Sequence, residues 1–260
     1  MDAACAAAQK KLKFFKKIIR YFVYASMAGA LCTIGMALAG SIAAGFYESE
    51  ALKSIYNLSM GITFTFTLTM IVIAGAELFT GNVMIMTIAC LQKRARLLQA
   101  LWLLTICYLA NVIGAAFMAL IVWQTGLLEG RIGSMVVMVS TNKALLPFGY
   151  VFFRGILCNM LICLGTWCCL KLKSEVAKLI CIFWVILCFV GTGYEHSIAN
   201  AGIFTMAVLA AEIFPVTSFD IFRNMLSSTL GNFVGGMVFV GFFYWFTGRG
   251  EDAEKKEQTV

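Results

Sequence analysis

Long charge-free apolar runs, parted by short polar clusters, dominate the pattern along this chain. About 20 apolar residues suffice for one helical crossing of a bilayer. The pattern predicts spans at about 21–46, 54–76, 97–124, 144–170, 179–194 and 224–246. Two shorter apolar pieces, 78–92 and 197–211, follow the second and fifth spans. The octapeptides GAELFTGN (Gly75–Asn82) and GYEHSIAN (Gly193–Asn200) interrupt the pattern at those two places. Non-helical backbone at membrane depth is tolerated only where protein or a wet cavity receives it. The expected fold is therefore an all-α polytopic membrane protein of six transmembrane helices, with the second and fifth broken.

Charge placement orients the spans. Fifteen of the 20 Lys and Arg residues lie before the first span, after the second, after the fourth and in the tail. The other connections hold Lys53, Arg131, Lys143 and Arg223, and Arg154 falls inside a span. This bias predicts a multi-pass protein of the cell (inner, cytoplasmic) membrane with both termini in the cytoplasm. Only 13% of residues are charged, against about 25% in soluble domains. The bilayer is thus an expected partner, and the net charge of +7 reads as topology; nucleic-acid binding is not expected. Residues 1–20 carry KKLKFFKKIIRYF, with Leu12, Phe15, Ile18 and Ile19 at helical spacing among lysines, a pattern for a basic amphipathic interfacial helix. Residues 248–260 form a cytoplasmic tail.

Laid side by side, the two halves match in three places. GALC (Gly29–Cys32) pairs with GILC (Gly155–Cys158), GAELFTGN with GYEHSIAN, and ANVIG (Ala110–Gly114) with GNFVG (Gly231–Gly235), at offsets of 126, 118 and 121 residues. Each repeat, 21–128 and 129–247, holds three spans, so the second enters the membrane from the opposite face. An inverted 3+3 repeat is a pattern of transport proteins with midplane sites at discontinuous helices. The 118-residue offset makes Leu78 the mate of His196, Glu77 of Glu195, and Asn82 of Asn200. The glutamates and asparagines read as support for backbone groups freed by the breaks. Arg154 needs a partner inside the membrane, and Glu77 or Glu195 is the expected one.

Enzyme chemistry finds no foothold. The ten cysteines lie mostly within apolar spans, form no CxxC pair and have no nearby histidine. Buried free cysteine behaves as a small hydrophobe, so neither metal nor cofactor is expected. One histidine excludes a bis-histidine haem within the chain, and no nucleotide loop or Ser-His-Asp arrangement is present. The rival reading is a water or glycerol channel. Pro147 and Pro215 are the only prolines, which leaves no room for two Asn-Pro-Ala motifs.

AELFTGNVM (Ala76–Met84), FRGILCN (Phe153–Asn159), GYEHSIAN and TLGN (Thr229–Asn232) together resemble the formate/nitrite transporter family, which includes hydrosulfide channels. The resemblance runs from about Arg20 to the end of the sixth span. It implies an aquaporin-like protomer, a homopentamer with five separate pores, and a channel or secondary transporter for small monovalent anions. It also implies pore residues at Thr80, Lys143, Asn159, His196 and Asn232. Apolar constrictions would fall at Phe64 and Leu68 on one side, and at Leu78, Phe79 and Phe189 on the other.

Desolvation is the physical problem for such a pore, because a bare anion pays several kcal/mol or more in an apolar passage. Lys143, at the outer end of the fourth span, is expected to attract the anion together with nearby helix N-termini. Low dielectric favours the neutral acid over its anion. Formate, nitrite and hydrosulfide have small neutral acids, and chloride has none accessible. His196 is expected to lend a proton through Thr80 and bound water, so replacing it should alter the pH dependence of flux.

Overall fold

The computed structural model describes residues 1–47, 49–212 and 214–248, and among these all regular structure is helical. The elements are α1 (Asp2–Phe15), α2 (Ile18–Ala43), α3 (Lys53–Ala74), α4 (Phe79–Leu91), α5 (Leu97–Gln124), α6 (Arg131–Leu145), α7 (Phe148–Lys171), α8 (Glu175–Gly191), α9 (Ser197–Ala210) and α10 (Ser218–Val234). A π-helical stretch, Gly235–Phe242, continues α10. Five helices are long and apolar enough to cross a membrane: Ile18–Ala43, Glu50–Ala74, Leu97–Gln124, Phe148–Lys171 and Ser218–Gly248. With 17 residues, α8 spans roughly 25 Å at the helical rise. The short apolar helices α4 and α9 are too brief to cross alone.

Large apolar side chains face outward along these helices, among them Ile19, Leu98, Phe117, Phe153 and Trp184, as lipid contact requires. Inside, helices meet through small residues. Ala25, Ala28, Gly29 and Cys32 are buried on α2, which packs along α5. Small side chains let backbones approach closely where lipid offers no hydrophobic contrast. At the centre lie α4 and α9, whose side chains from Phe79 to Met86 and from Ser197 to Phe204 are all buried.

Two expected boundaries move. The amphipathic helix ends at Phe15, and Ile18 and Ile19 instead open α2, 43% and 78% exposed. Lys17 turns the chain (φ −96°, ψ 65°) between the two helices, and α1 buries Ala4 and Ala8 while packing on α4. The span expected at 144–170 is present as α7, which starts at Phe148, while residues 144 and 145 instead end the separate helix α6. Pro147 parts them, and Leu146 before it is extended (φ −58°, ψ 141°), because proline disfavours helix at the preceding residue. Lys143 therefore sits in the last turn of a separate helix, not at the end of a span.

Candidate pore and its two helix junctions

Two junctions set the chemistry of the centre, and each begins on a left-handed glycine. After α3, Gly75 takes φ +89°, and Leu78 is extended where α4 begins. After α8, Gly193 takes φ +73°, and His196 is extended where α9 begins. Positive φ costs glycine little because it has no Cβ. The first amides of α4 and α9 then face the protein interior without partners in their own helices.

An asparagine from a distant helix closes each junction. The Phe79 amide donates to Asn111 Oδ1 (2.8 Å), and Asn111 Nδ2 donates to the carbonyls of Glu77 (2.9 Å) and Ala25 (2.7 Å). At the other junction, the Ser197 amide donates to Asn232 Oδ1 (2.9 Å). Asn232 Nδ2 donates to the carbonyls of Glu195 (2.8 Å) and Gly155 (2.9 Å). Both side chains are fully buried and spent on backbone. Unmade hydrogen bonds at such depth would cost about 1–3 kcal/mol each.

A lysine and a second asparagine hold each carboxylate. Lys11 Nζ reaches Glu77 Oε1 at 2.7 Å, and Asn82 Nδ2 donates to Glu77 Oε2 at 2.8 Å. Lys143 Nζ reaches Glu195 Oε1 at 2.8 Å, and Asn200 Nδ2 donates to Glu195 Oε2 at 2.6 Å. Asn200 also donates to Asn224 Oδ1, and Asn224 Nδ2 donates to the Lys143 carbonyl. Buried charges persist when paired and hydrogen-bonded in this way. The expected pairing of Arg154 with Glu77 or Glu195 is not found: both carboxylates are taken by lysines. Among the described residues Arg154 forms no ion pair, and only its carbonyl meets the junction, accepting the Glu195 amide at 3.4 Å.

Between the junctions, Thr80 Oγ1 and His196 Nε2 are 3.2 Å apart, both buried. The Ala199 amide donates to His196 Nδ1 at 3.1 Å, so the ring caps α9. With Nδ1 accepting, the ring proton resides on Nε2 and points at Thr80. Phe189 stacks on the imidazole (6.0 Å, 30°), and Phe64 meets Phe189 edge-on at 6.1 Å. Asn159 Nδ2 donates to the carbonyls of Thr80 (3.2 Å) and Asn232 (2.6 Å), and Cys163 Sγ lies 3.3 Å from the same Thr80 oxygen.

Cavities open on both sides of this contact. One, of about 140 Å³, is lined by Tyr56, Phe64, Lys143, Phe189, His196 and Asn200 among others. The other, of about 520 Å³, is lined by Lys11, Leu68, Glu77, Leu78, Gly81 and Asn82 among others. Thr80, between Leu78 and Gly81 of the second cavity, meets His196 of the first. The apolar residues group differently from expectation: Phe64 belongs with Phe189, and Leu68 with Leu78. Phe79 lines neither cavity and packs on Tyr108 at 5.2 Å.

Lys11, Asn111 and Asn224 were not singled out in the sequence. Asn111 carried a signal, since the match of ANVIG with GNFVG aligns it with Asn232. Lys11 carried none, being one of six basic residues before the first span.

The model of the formate/nitrite transporter family matches residues 1–246. Nitrite transporter NirC of Salmonella typhimurium is 36% identical over 228 residues, 87% of this chain and 82% of that protein. A solved FNT family ion channel superposes with a TM-score of 0.88 at 32% identity, covering 95% of this chain and 97% of that one. A pentameric formate channel with formate bound superposes at 0.79 and 26% identity, covering 90% and 98%.

Proposed function

The chain belongs to the formate/nitrite transporter family, and from that premise we propose that it conducts small monovalent anions of weak acids, formate, nitrite or hydrosulfide, across the cell membrane. It would do so as a homopentamer of separate pores, each an inverted 3+3 repeat in which the two junctions are breaks of the second and fifth spans. Both termini would be cytoplasmic, which makes the Lys143 side external. The observation that carries the reading is the Thr80–His196 contact, buried between two lysine-flanked cavities behind an aromatic pair.

The chemistry follows from these positions. An anion reaching the outer cavity meets Lys143, whose charge is shared with Glu195. The cavity therefore attracts an anion without trapping it. Past Phe64 and Phe189 water is excluded and the cost of carrying charge rises. The neutral acid crosses this throat more readily than the anion. Thr80 Oγ accepts from His196 Nε2, leaving its own hydroxyl proton free to point at the passing acid. Asn159 fixes the Thr80 backbone, and Asn232 fixes the start of α9; we assign both to positioning, with Thr80, His196 and Lys143 meeting the substrate.

A proton lent by the ring in this state would leave an imidazolate, because Nδ1 is occupied by the Ala199 amide. We therefore favour a proton drawn from vestibule water over one drawn from His196. Asparagine is a good helix cap, so His196→Asn preserves the start of α9 while removing the titrating ring. A flux profile between about pH 5 and about pH 8 that keeps its shape but falls in height supports the water route; a changed shape returns the proton-lending role to the ring. The function itself is tested by flux of formate, nitrite, hydrosulfide and chloride into proteoliposomes. Weak-acid anions are expected to outpace chloride. Rapid swelling under a glycerol gradient with no anion flux would instead favour the neutral-solute channel.

A further inference from the structure

A second feature lies away from the pore, on the membrane face where α4, α5 and the π-helical stretch converge. A groove of about 310 Å³ runs there, lined by Met86, Leu97, Leu101, Leu104, Met237 and Phe242 among others. Its lining is almost wholly apolar, and Leu97, Leu101 and Phe242 are 67%, 41% and 40% exposed. One wall is the π-helical stretch, a wound-out geometry that is frequent at functional sites.

The end of the groove is marked by the turn from α4 to α5. Lys93, Arg94 and Arg96 are all exposed there, and among the described residues none of them forms an ion pair. The turn is held tightly by backbone: the Lys93 amide donates to the Cys90 carbonyl (3.0 Å), and the Arg94 amide to the Ala89 carbonyl (2.7 Å). Lys93 occupies the left-handed position of this helix end, with φ +56°. Glycine is the usual occupant of that position, and a residue with a Cβ is strained there. A cation thus stands where glycine would be less strained, beside two more cations, at the mouth of an apolar slot.

We propose that this groove and turn bind one anionic phospholipid. An acyl chain fills the slot between Leu101, Met237 and Phe242, and Lys93, Arg94 and Arg96 hold the phosphate. Basic pockets at the cytoplasmic ends of spans recognise anionic headgroups by this combination of charge and apolar groove. A neighbouring copy is a poorer occupant. The described acids at this end of the bundle are Asp2 and Glu175, and Glu175 already pairs with Lys178.

Native mass spectrometry of the purified assembly, titrated with phosphatidylglycerol or phosphatidylcholine of identical chains, tests the site. Phosphatidylglycerol is expected to be retained roughly a hundredfold better, since each of the three headgroup-facing cations contributes about a fivefold factor. The double variant Arg94→Gln/Arg96→Gln, confined to exposed positions, is expected to cut that preference to about fivefold, the share of the remaining Lys93. Leu101→Trp, which fills the slot and leaves every charge in place, is expected to lower retention of phosphatidylglycerol as well. Equal retention of the two lipids by the native chain overturns the proposal. So does an undiminished preference in Arg94→Gln/Arg96→Gln, which would move the headgroup to the lysines of α1. Undiminished retention in Leu101→Trp would show that the slot holds no acyl chain.

Discussion

The Glu77 junction and the Glu195 junction are built from the same parts, yet only one brings an imidazole to the centre. Each has a left-handed glycine, a lysine-paired glutamate, an asparagine five residues on, and a distant asparagine spent on the backbone. They differ at one position. Leu78 precedes α4 with no side-chain cap, whereas His196 caps α9 through Nδ1 and offers Nε2 to Thr80. The lysines differ in attachment too: Lys11 sits on the short terminal helix α1, and Lys143 on α6, which Asn224 ties to α10. The shared parts hold backbone and carboxylates in place, and the part that differs brings His196 to Thr80.

The largest expected effect tests the shared scaffold. Asn111→Leu and Asn232→Leu each strand one amide and two carbonyls, at about 1–3 kcal/mol per group. Both are expected to abolish folded protein or sharply lower its thermal midpoint in detergent, and to similar degrees. A harmless Asn111→Leu beside a ruinous Asn232→Leu would show that the junctions are not equivalent.

Next come the lysines. Lys143→Ala leaves Glu195, 1% exposed, as an unpaired carboxylate beside the outer cavity, and breaking a buried pair from one side costs several kcal/mol. Anion influx is expected to fall at least about tenfold, which corresponds to 1.4 kcal/mol. The double variant Lys143→Ala/Glu195→Gln is expected to recover part of the loss. Lys11→Ala should lower flux less, because Glu77 keeps Asn82 and Tyr21 as partners and is 9% exposed. Equal losses from the two lysines would erase the distinction drawn between them.

Much of this contrast was legible in the sequence because it rests on local signals. The octapeptides interrupt long apolar runs, and their matching G-x-E-x-x-x-x-N pattern brings out Glu77, Asn82, Glu195 and Asn200 together. The extent of α5 was read directly, since Leu97–Gln124 is a charge-free stretch behind a basic turn. Failures occurred where partners are far apart in the chain. Nothing local pairs Lys11 with Glu77, 66 residues away. Depth alone points Arg154 at a carboxylate and gives no sign that lysines on α1 and α6 take both. The division of α6 from α7 was missed because hydropathy runs on through Pro147, whose effect is conformational.

A smaller effect probes the position where the junctions differ. Leu78→Asn supplies the cap that α4 lacks but gives up a leucine only 7% exposed, so thermal stability is expected to fall by about 1 kcal/mol. Its flux is expected to fall through loss of an apolar side chain at the inner cavity. Smallest of all, Lys53→Gln removes an i,i+3 partner of Glu50, the two side chains being 64% and 88% exposed, and should change neither stability nor flux measurably.

The central claim is that charge is shed between Phe64 and Leu78, so that the anion crosses with a proton. Following luminal pH in proteoliposomes during formate influx tests it most directly. The account predicts acidification of the lumen in step with formate uptake, and none when chloride replaces formate. Formate entering with no change in luminal pH, or chloride passing as fast as formate, would contradict it.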